Sequence, residues 1–147
     1  MLVDILRRKS SSVLSARDTA RVADVAKLMV ANKVGSVAIT DGSGAIIGIF
    51  EEKAVVEGVV ASGAAFLEQP VRKHCASPAP SCAISDSVSR VMRRMTEDRV
   101  RHLLVMDGTT VAGLVSIGDV VKARMRSADL EALVLRDLAQ AKVLASH

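Results

Sequence analysis

Apolar positions along this chain alternate between two rhythms. Val22, Val25, Ala26, Met29 and Val30 fall three or four apart, the spacing that lays one stripe along an amphipathic helix. Ser36 to Thr40 is instead a short β-branched run. The turn Asp41-Gly42-Ser43-Gly44 and a second apolar run, Ala45 to Phe50, follow it, and together they predict a hairpin. A helix is then predicted from about Glu52 to Ala61. Upstream, Leu2, Val3, Ile5 and Leu6 form an apolar turn, the stretch from Arg7 through Ser10-Ser11-Ser12 reads as loop, and Val13-Leu14 reads as a short strand.

The same pattern then returns. Moved forward by 66 positions, Val22, Val25, Ala26 and Met29 land on Val88, Val91, Met92 and Met95, and Asp41-Gly42 lands on Asp107-Gly108. After that turn the offset is 65, a one-residue deletion in the second hairpin, and Gly48-Ile49-Phe50 lands on Gly113-Leu114-Val115. This is an internal duplication. Each copy reads β-α-β-β-α, so the fold class is α/β in composition and α+β in layout. Neither copy is large enough for a comfortable core, so the two are expected to pack together. The linker, about Ser62 to Pro80, holds all three prolines and one turn of helix around Val71 to Cys75. Beyond the second copy, Asp129 to Leu144 is a further helical pattern with a stripe of Leu130, Leu133, Val134, Leu138 and Ala141. The expected division is residues 1–66, 67–126 and 127–147. The last stripe either folds back or meets another chain, with dimerisation preferred.

Composition narrows the function. Half of the 147 residues are hydrophobic, yet no stretch reaches the roughly 20 apolar residues of a membrane span. The first residues lack the basic-then-apolar layout of a secretory leader, and Cys75 and Cys82 have no C-x-x-C spacing, so a cytoplasmic protein without a disulfide framework is expected. A net charge of +4 suits an anionic ligand. Tryptophan and tyrosine are absent, which removes the stacking platforms of a single-strand nucleic-acid binder.

The candidate chemistry sits where the second copy's last strand meets its last helix, at Gly113-Leu114-Val115-Ser116-Ile117-Gly118-Asp119. A serine three residues before an aspartate at such a junction puts a hydroxyl and a carboxylate on one rim. The hydroxyl can cap the helix and, with the free N–H groups of the first turn, meet a phosphate. The carboxylate suits the paired hydroxyls of a ribose. From these residues alone, the plainer alternative is a cap and a favourable first-turn acid. No nucleophile, base and orienting group occur together and no phosphate loop is present, so an enzyme is not expected. His74, Cys75 and Cys82 lack a fourth ligand at a recognisable spacing, and no metal site is expected. Arg90, Arg93 and Arg94 share a helix face, read as solvated in preference to partner-binding.

The duplicated layout, with its Gly-x-x-Ser-x-x-Asp ending, resembles the tandem cystathionine-β-synthase (CBS) domain pair, or Bateman module, from Val3 to about Arg126. The resemblance implies two β-α-β-β-α units about a pseudo-twofold axis. It further implies clefts for AMP, ATP, NAD or S-adenosylmethionine, and a homodimer acting on an unknown regulated protein. Carried over by resemblance, Asp119 would hold the ribose hydroxyls and Ser116 the first phosphate, with Ile117 and Gly118 between them. Arg101, His102 and Leu103 would line the adenine pocket, and Ser81 would close the cleft. Apart from the resemblance, position along the chain puts Lys122 or Arg99 within reach of a polyphosphate tail. The first copy departs from the pattern, with Glu51 at the serine position and Ala54 at the aspartate position. Loss of the carboxylate and an acid facing the phosphate imply a silent first cleft. The leading expectation is therefore a regulatory nucleotide sensor with one working site. A ligand-free dimerisation scaffold is the alternative. A basic nucleic-acid-associated protein, suggested by an isoelectric point near 9.4, comes third, because no groove-reading motif supports it.

Overall fold

In the computed structural model, which describes residues 1–9 and 13–145, the sequence repeat becomes two three-stranded sheets of one plan. In the first, β1 (Ser15–Arg17) lies parallel to β2 (Ser36–Thr40), which pairs antiparallel with β3 (Ile46–Glu51). In the second, β4 (Ser81–Ala83), β5 (His102–Asp107) and β6 (Thr110–Ser116) repeat that order and those directions. Parallel neighbours need a crossover, supplied by α2 (Val22–Asn32) and α4 (Val88–Glu97). The last strands run directly into α3 (Glu52–Ser62) and α5 (Ile117–Ala145). The registers keep the repeat offset: Val37 faces Phe50 as Leu103 faces Val115, and the middle strands bulge at the same place, after Ile39 and after Val105. The mixed α and β architecture of two β-α-β-β-α units is thus the one the chain adopts.

Two cores result, one per sheet. In the first, Val22, Val25 and Met29 from α2 meet Val37, Ile39 and Phe50, joined by Phe66 and Val71 from the linker. In the second, Val91 and Met95 from α4 meet Leu103, Val105 and Val115. They are joined by Leu2 and Ile5 of α1 (Leu2–Lys9). The helix that comes first in sequence therefore belongs to the core of the second repeat. Gly113 lies under this contact: a Cβ there would lie 2.5 Å from Cδ2 of Leu6, so α1 seats closely on β6 over a glycine. Its counterpart Gly48 receives the linker instead, with the Ala76 carbonyl oxygen 2.6 Å from the Cβ it lacks. Ile49 and Ala76 exchange backbone hydrogen bonds of 3.1 and 2.9 Å there.

Four elements differ from the sequence reading. The stretch from Arg7, read as loop, is helical through Lys9 as the end of α1. The first strand begins at Ser15 rather than Val13, because Leu14 turns toward the first core while its carbonyl accepts from the Ala38 N–H at 3.0 Å. The linker forms two 3-10 segments, Gly63–Glu68 and Val71–Lys73, the first of which buries Phe66. The C-terminal stripe does not start a helix of its own. It continues α5 without a break, since neither glycine nor proline occurs after Gly118 to stop it. The serine loop, Ser10 to Ser12, lies outside the described residues.

Candidate functional site

β6 delivers Ser116 to the start of α5, and the two side chains at that junction cap it reciprocally. The Ser116 N–H donates to Oδ2 of Asp119 at 2.9 Å, and the Asp119 N–H donates to Oγ of Ser116 at 3.2 Å, a capping-box arrangement. Lys9, at the end of α1, adds its ammonium: Nζ lies 2.8 Å from the same Oδ2 and 2.9 Å from the Leu114 carbonyl oxygen. Burial alone would raise the Asp119 carboxyl, but the Lys9 ammonium and the Ser116 donors outweigh it and hold the group below the ordinary carboxylate range.

Above this junction opens a cavity of about 490 Å³. Its walls come from both repeats: Ser116, Ile117 and Asp119 with Arg101 and His102 on one side, Lys33 to Ser36 and Glu52 on the other. Backbone hydrogen bonds hold the two walls alike. The Arg101 carbonyl accepts from the Ile117 N–H at 2.8 Å, and the Gly35 carbonyl accepts from the Glu52 N–H at 3.0 Å. Each middle strand is therefore tied at its start to the last helix of its own repeat. A Cβ on Gly35 would sit 3.6 Å from Cε1 of His102, so the two repeats lie within ordinary contact distance there.

Of the residues singled out in the sequence, Ser116, Ile117, Asp119, Arg101 and His102 share this cavity. Leu103 is fully buried behind it in the second core. Gly118 occupies the first turn of α5, where a Cβ would be 3.6 Å from Oγ of Ser116. Lys122 stands one turn farther along α5, in a separate depression with Arg8, Lys9 and Arg126. Ser81 lies outside the cavity, paired in β4 with Leu104 and accepting at its carbonyl from the Arg94 guanidinium. The approach to β1 in the first repeat, Val13-Leu14, lines the cavity instead.

Sequence reasoning missed the wall from the first repeat. Gly35-Ser36 is the counterpart of Arg101-His102 at the 66-residue offset, and that offset was the available signal. Lys9 had none beyond its charge. Lys33 and its counterpart Arg99 both adopt φ 54°, a left-handed conformation that favours glycine. Each sets a cation at the edge of a cleft.

The other cleft, about 480 Å³, faces the first repeat's version of the junction. Glu51 stands there with Arg99, Arg101 and His102 around it. Its Oε1 is 3.5 Å from Nδ1 of His102, a buried nitrogen without a hydrogen-bond partner among the described residues. A carboxylate of the protein itself thus stands at this junction, where the second repeat has Ser116. Elsewhere, His74 bonds to Gln69 and packs edge-on against Phe66, while Cys75 borders the first core and Cys82 lies in the second. Among the described residues no group of three His, Cys, Asp or Glu side chains could hold a metal ion. No described helix is long and apolar enough to cross a membrane.

Comparison with known proteins agrees with this architecture. The CBS domain family profile matches residues 3–61 and 71–126. A solved CBS-domain containing protein from Agrobacterium tumefaciens is 36% identical, with a TM-score of 0.79 over 82% of this chain and 90% of that one. A solved protein with CBS domains from Burkholderia ambifaria is 31% identical, with a TM-score of 0.77 over 84% and 92%. A CBS domain protein from Pyrobaculum aerophilum, solved in complex with AMP, is 22% identical, with a TM-score of 0.67 over 75% and 84%. No curated protein matches the sequence. With both repeats matched in order, and with the duplicated sheets and paired clefts already described, the chain belongs to the CBS domain family as a tandem pair.

Proposed function

We propose that this CBS pair is a regulatory module that senses an adenosyl nucleotide in the cavity above Ser116 and Asp119. The observation that carries the reading is the reciprocal Ser116–Asp119 cap at the floor of a cavity of about 490 Å³, a volume within the usual range for small-molecule sites. Oδ1 of Asp119 has no hydrogen-bond partner among the described residues, and a carboxylate with a free oxygen suits vicinal ribose hydroxyls. Oγ of Ser116 accepts from the Asp119 N–H and stands at a helix start whose dipole favours anions such as a phosphate. Adenine fits against Leu6, Val13 and Leu14 and the backbone of Arg101 and His102.

AMP, ATP, NAD and S-adenosylmethionine are the candidate ligands, and the AMP complex of the Pyrobaculum relative supports that class. Because the cavity draws on both repeats, a ligand biases how they meet, by as much as its affinities for the two arrangements differ. An unknown regulated protein reads that change, and no catalysis is assigned to the module itself. A second copy of the chain covers the exposed stripe of α5. Glu131 and Lys142 lie on one flank of that stripe, so an antiparallel pairing sets each acid near the other copy's lysine.

Calorimetric titration of nucleotide-free protein with AMP, ATP, NADH and S-adenosylmethionine tests the reading. Saturable binding near one ligand per chain is expected. Charged hydrogen bonds of roughly 1.5–3 kcal/mol make a loss of about tenfold or more the expected result for Asp119→Ala. No binding by any of the four ligands would leave a ligand-free scaffold as the function.

A further inference from the structure

We infer that the nucleotide held here carries an additional phosphate on its ribose, at the 2′ or 3′ oxygen. The inference rests on the nucleotide reading above and names the ligand class more narrowly. Where α1 crosses α5, a depression of about 210 Å³ adjoins the main cavity, and Lys9 and Asp119 line both spaces. Arg8 and Lys9 come from consecutive positions on α1. Asp119, Lys122 and Arg126 follow one another at i, i+3 and i+7 along one face of α5. Four cations and one acid thus line the same small depression, with Lys9 in contact with the acid.

Lys9 alone among the four is paired, with Asp119, and Arg8, Lys122 and Arg126 have no ion-pair partner among the described residues. Bringing like charges together is unfavourable unless an anion joins them. The depression begins at the Asp119 carboxylate, where the ribose hydroxyls are placed, and not at Ser116, where the 5′ phosphate is placed. A phosphate on one secondary ribose oxygen would project into it, leaving the other hydroxyl to Oδ1 of Asp119. A carboxylate alone at that position repels a ribose phosphate, whereas dinucleotide sites that accept a 2′-phosphate place a cation beside it. The Lys9 ammonium, 2.8 Å from Oδ2, supplies that cation here.

The test is titration of the full nucleotide-free chain, at fixed ionic strength, with AMP, ATP, adenosine 2′,5′-bisphosphate and adenosine 3′,5′-bisphosphate. One bisphosphate is expected to bind at least tenfold more tightly than AMP. That gain should vanish in the double variant Arg8→Ala, Arg126→Ala, while AMP affinity stays within twofold. Both residues are exposed, and thermal melting checks that the variant remains folded. Equal affinity for AMP and both bisphosphates would overturn the inference and leave the nucleotide site standing. ATP binding more tightly than either bisphosphate would also overturn it, by assigning the cations to the 5′ side. Failure of all four to bind would overturn this inference and the nucleotide reading together.

Discussion

Asp119 closes the first turn of α5 and, by the reading proposed here, also offers its carboxylate to a ligand. Its ionisation favours the folded state, because Lys9 and the Ser116 donors hold the folded group below its ordinary value of 3.8. The sign follows: this stability is complete above about pH 3.8 and is lost as the pH falls through the lower folded value. Thermal melts of wild type and Asp119→Asn should therefore differ most near neutrality and converge as the pH drops below about 4. A second residue-level expectation concerns Glu51 and Ala54. Restoring the motif with Glu51→Ser and Ala54→Asp should raise calorimetric stoichiometry from one nucleotide per chain toward two. Wild-type protein that already binds two would refute the silent first cleft. At this scale the Ser116–Asp119 pair was legible, because its spacing carries its own local chemistry. Lys9 and the Gly35-Ser36 wall were not. They reach the site only through packing between elements far apart in sequence, which no local pattern encodes.

Glycines at the level of elements decide which segments lie against which. Gly58 lies within α3, where alanine would ordinarily stabilise a helix by about 1 kcal/mol. A Cβ at that position would lie 2.2 Å from Cζ of Phe66, whose ring is buried in the first core. Overpacking of about 1–3 kcal/mol should win, so Gly58→Ala is expected to lower the urea-unfolding stability by up to about 2 kcal/mol net of the helix gain. The helices and hairpins were readable because their apolar periods are long and their turns are marked by Asp41-Gly42 and Asp107-Gly108. The start of β1 was less so: Val13-Leu14 has the apolar character of a strand, yet Leu14 is used to pack and the pairing begins at Ser15. The 3-10 segment holding Phe66 was hidden because its neighbours Gly63, Ala64 and Ala65 show no period at all.

For the molecule as a whole, α5 poses the main question. Among its described residues only Val120 is buried, while Leu130, Leu133, Val134 and Leu138 are exposed. A helical extension that buries nothing depends on intrinsic propensity, which is marginal in water. Sedimentation equilibrium should find a dimer for wild type and a shift toward monomer for the double variant Leu133→Lys, Leu138→Lys. A wild-type monomer at all concentrations would rule out the second copy as the cover. The duplication made the two-sheet plan legible, but it did not reveal that α1 packs on β6 of the second copy.

That placement of α1 has a consequence in time. Lys9 and Asp119 are 110 positions apart, and closing so long a loop is entropically expensive, while each hairpin needs only neighbouring residues. Both sheets can form before the first nine residues find their place. The wall of the cavity contributed by Leu6 and Lys9 depends on that docking, so the proposed ligand site is complete only when the start of the chain lies on the far repeat.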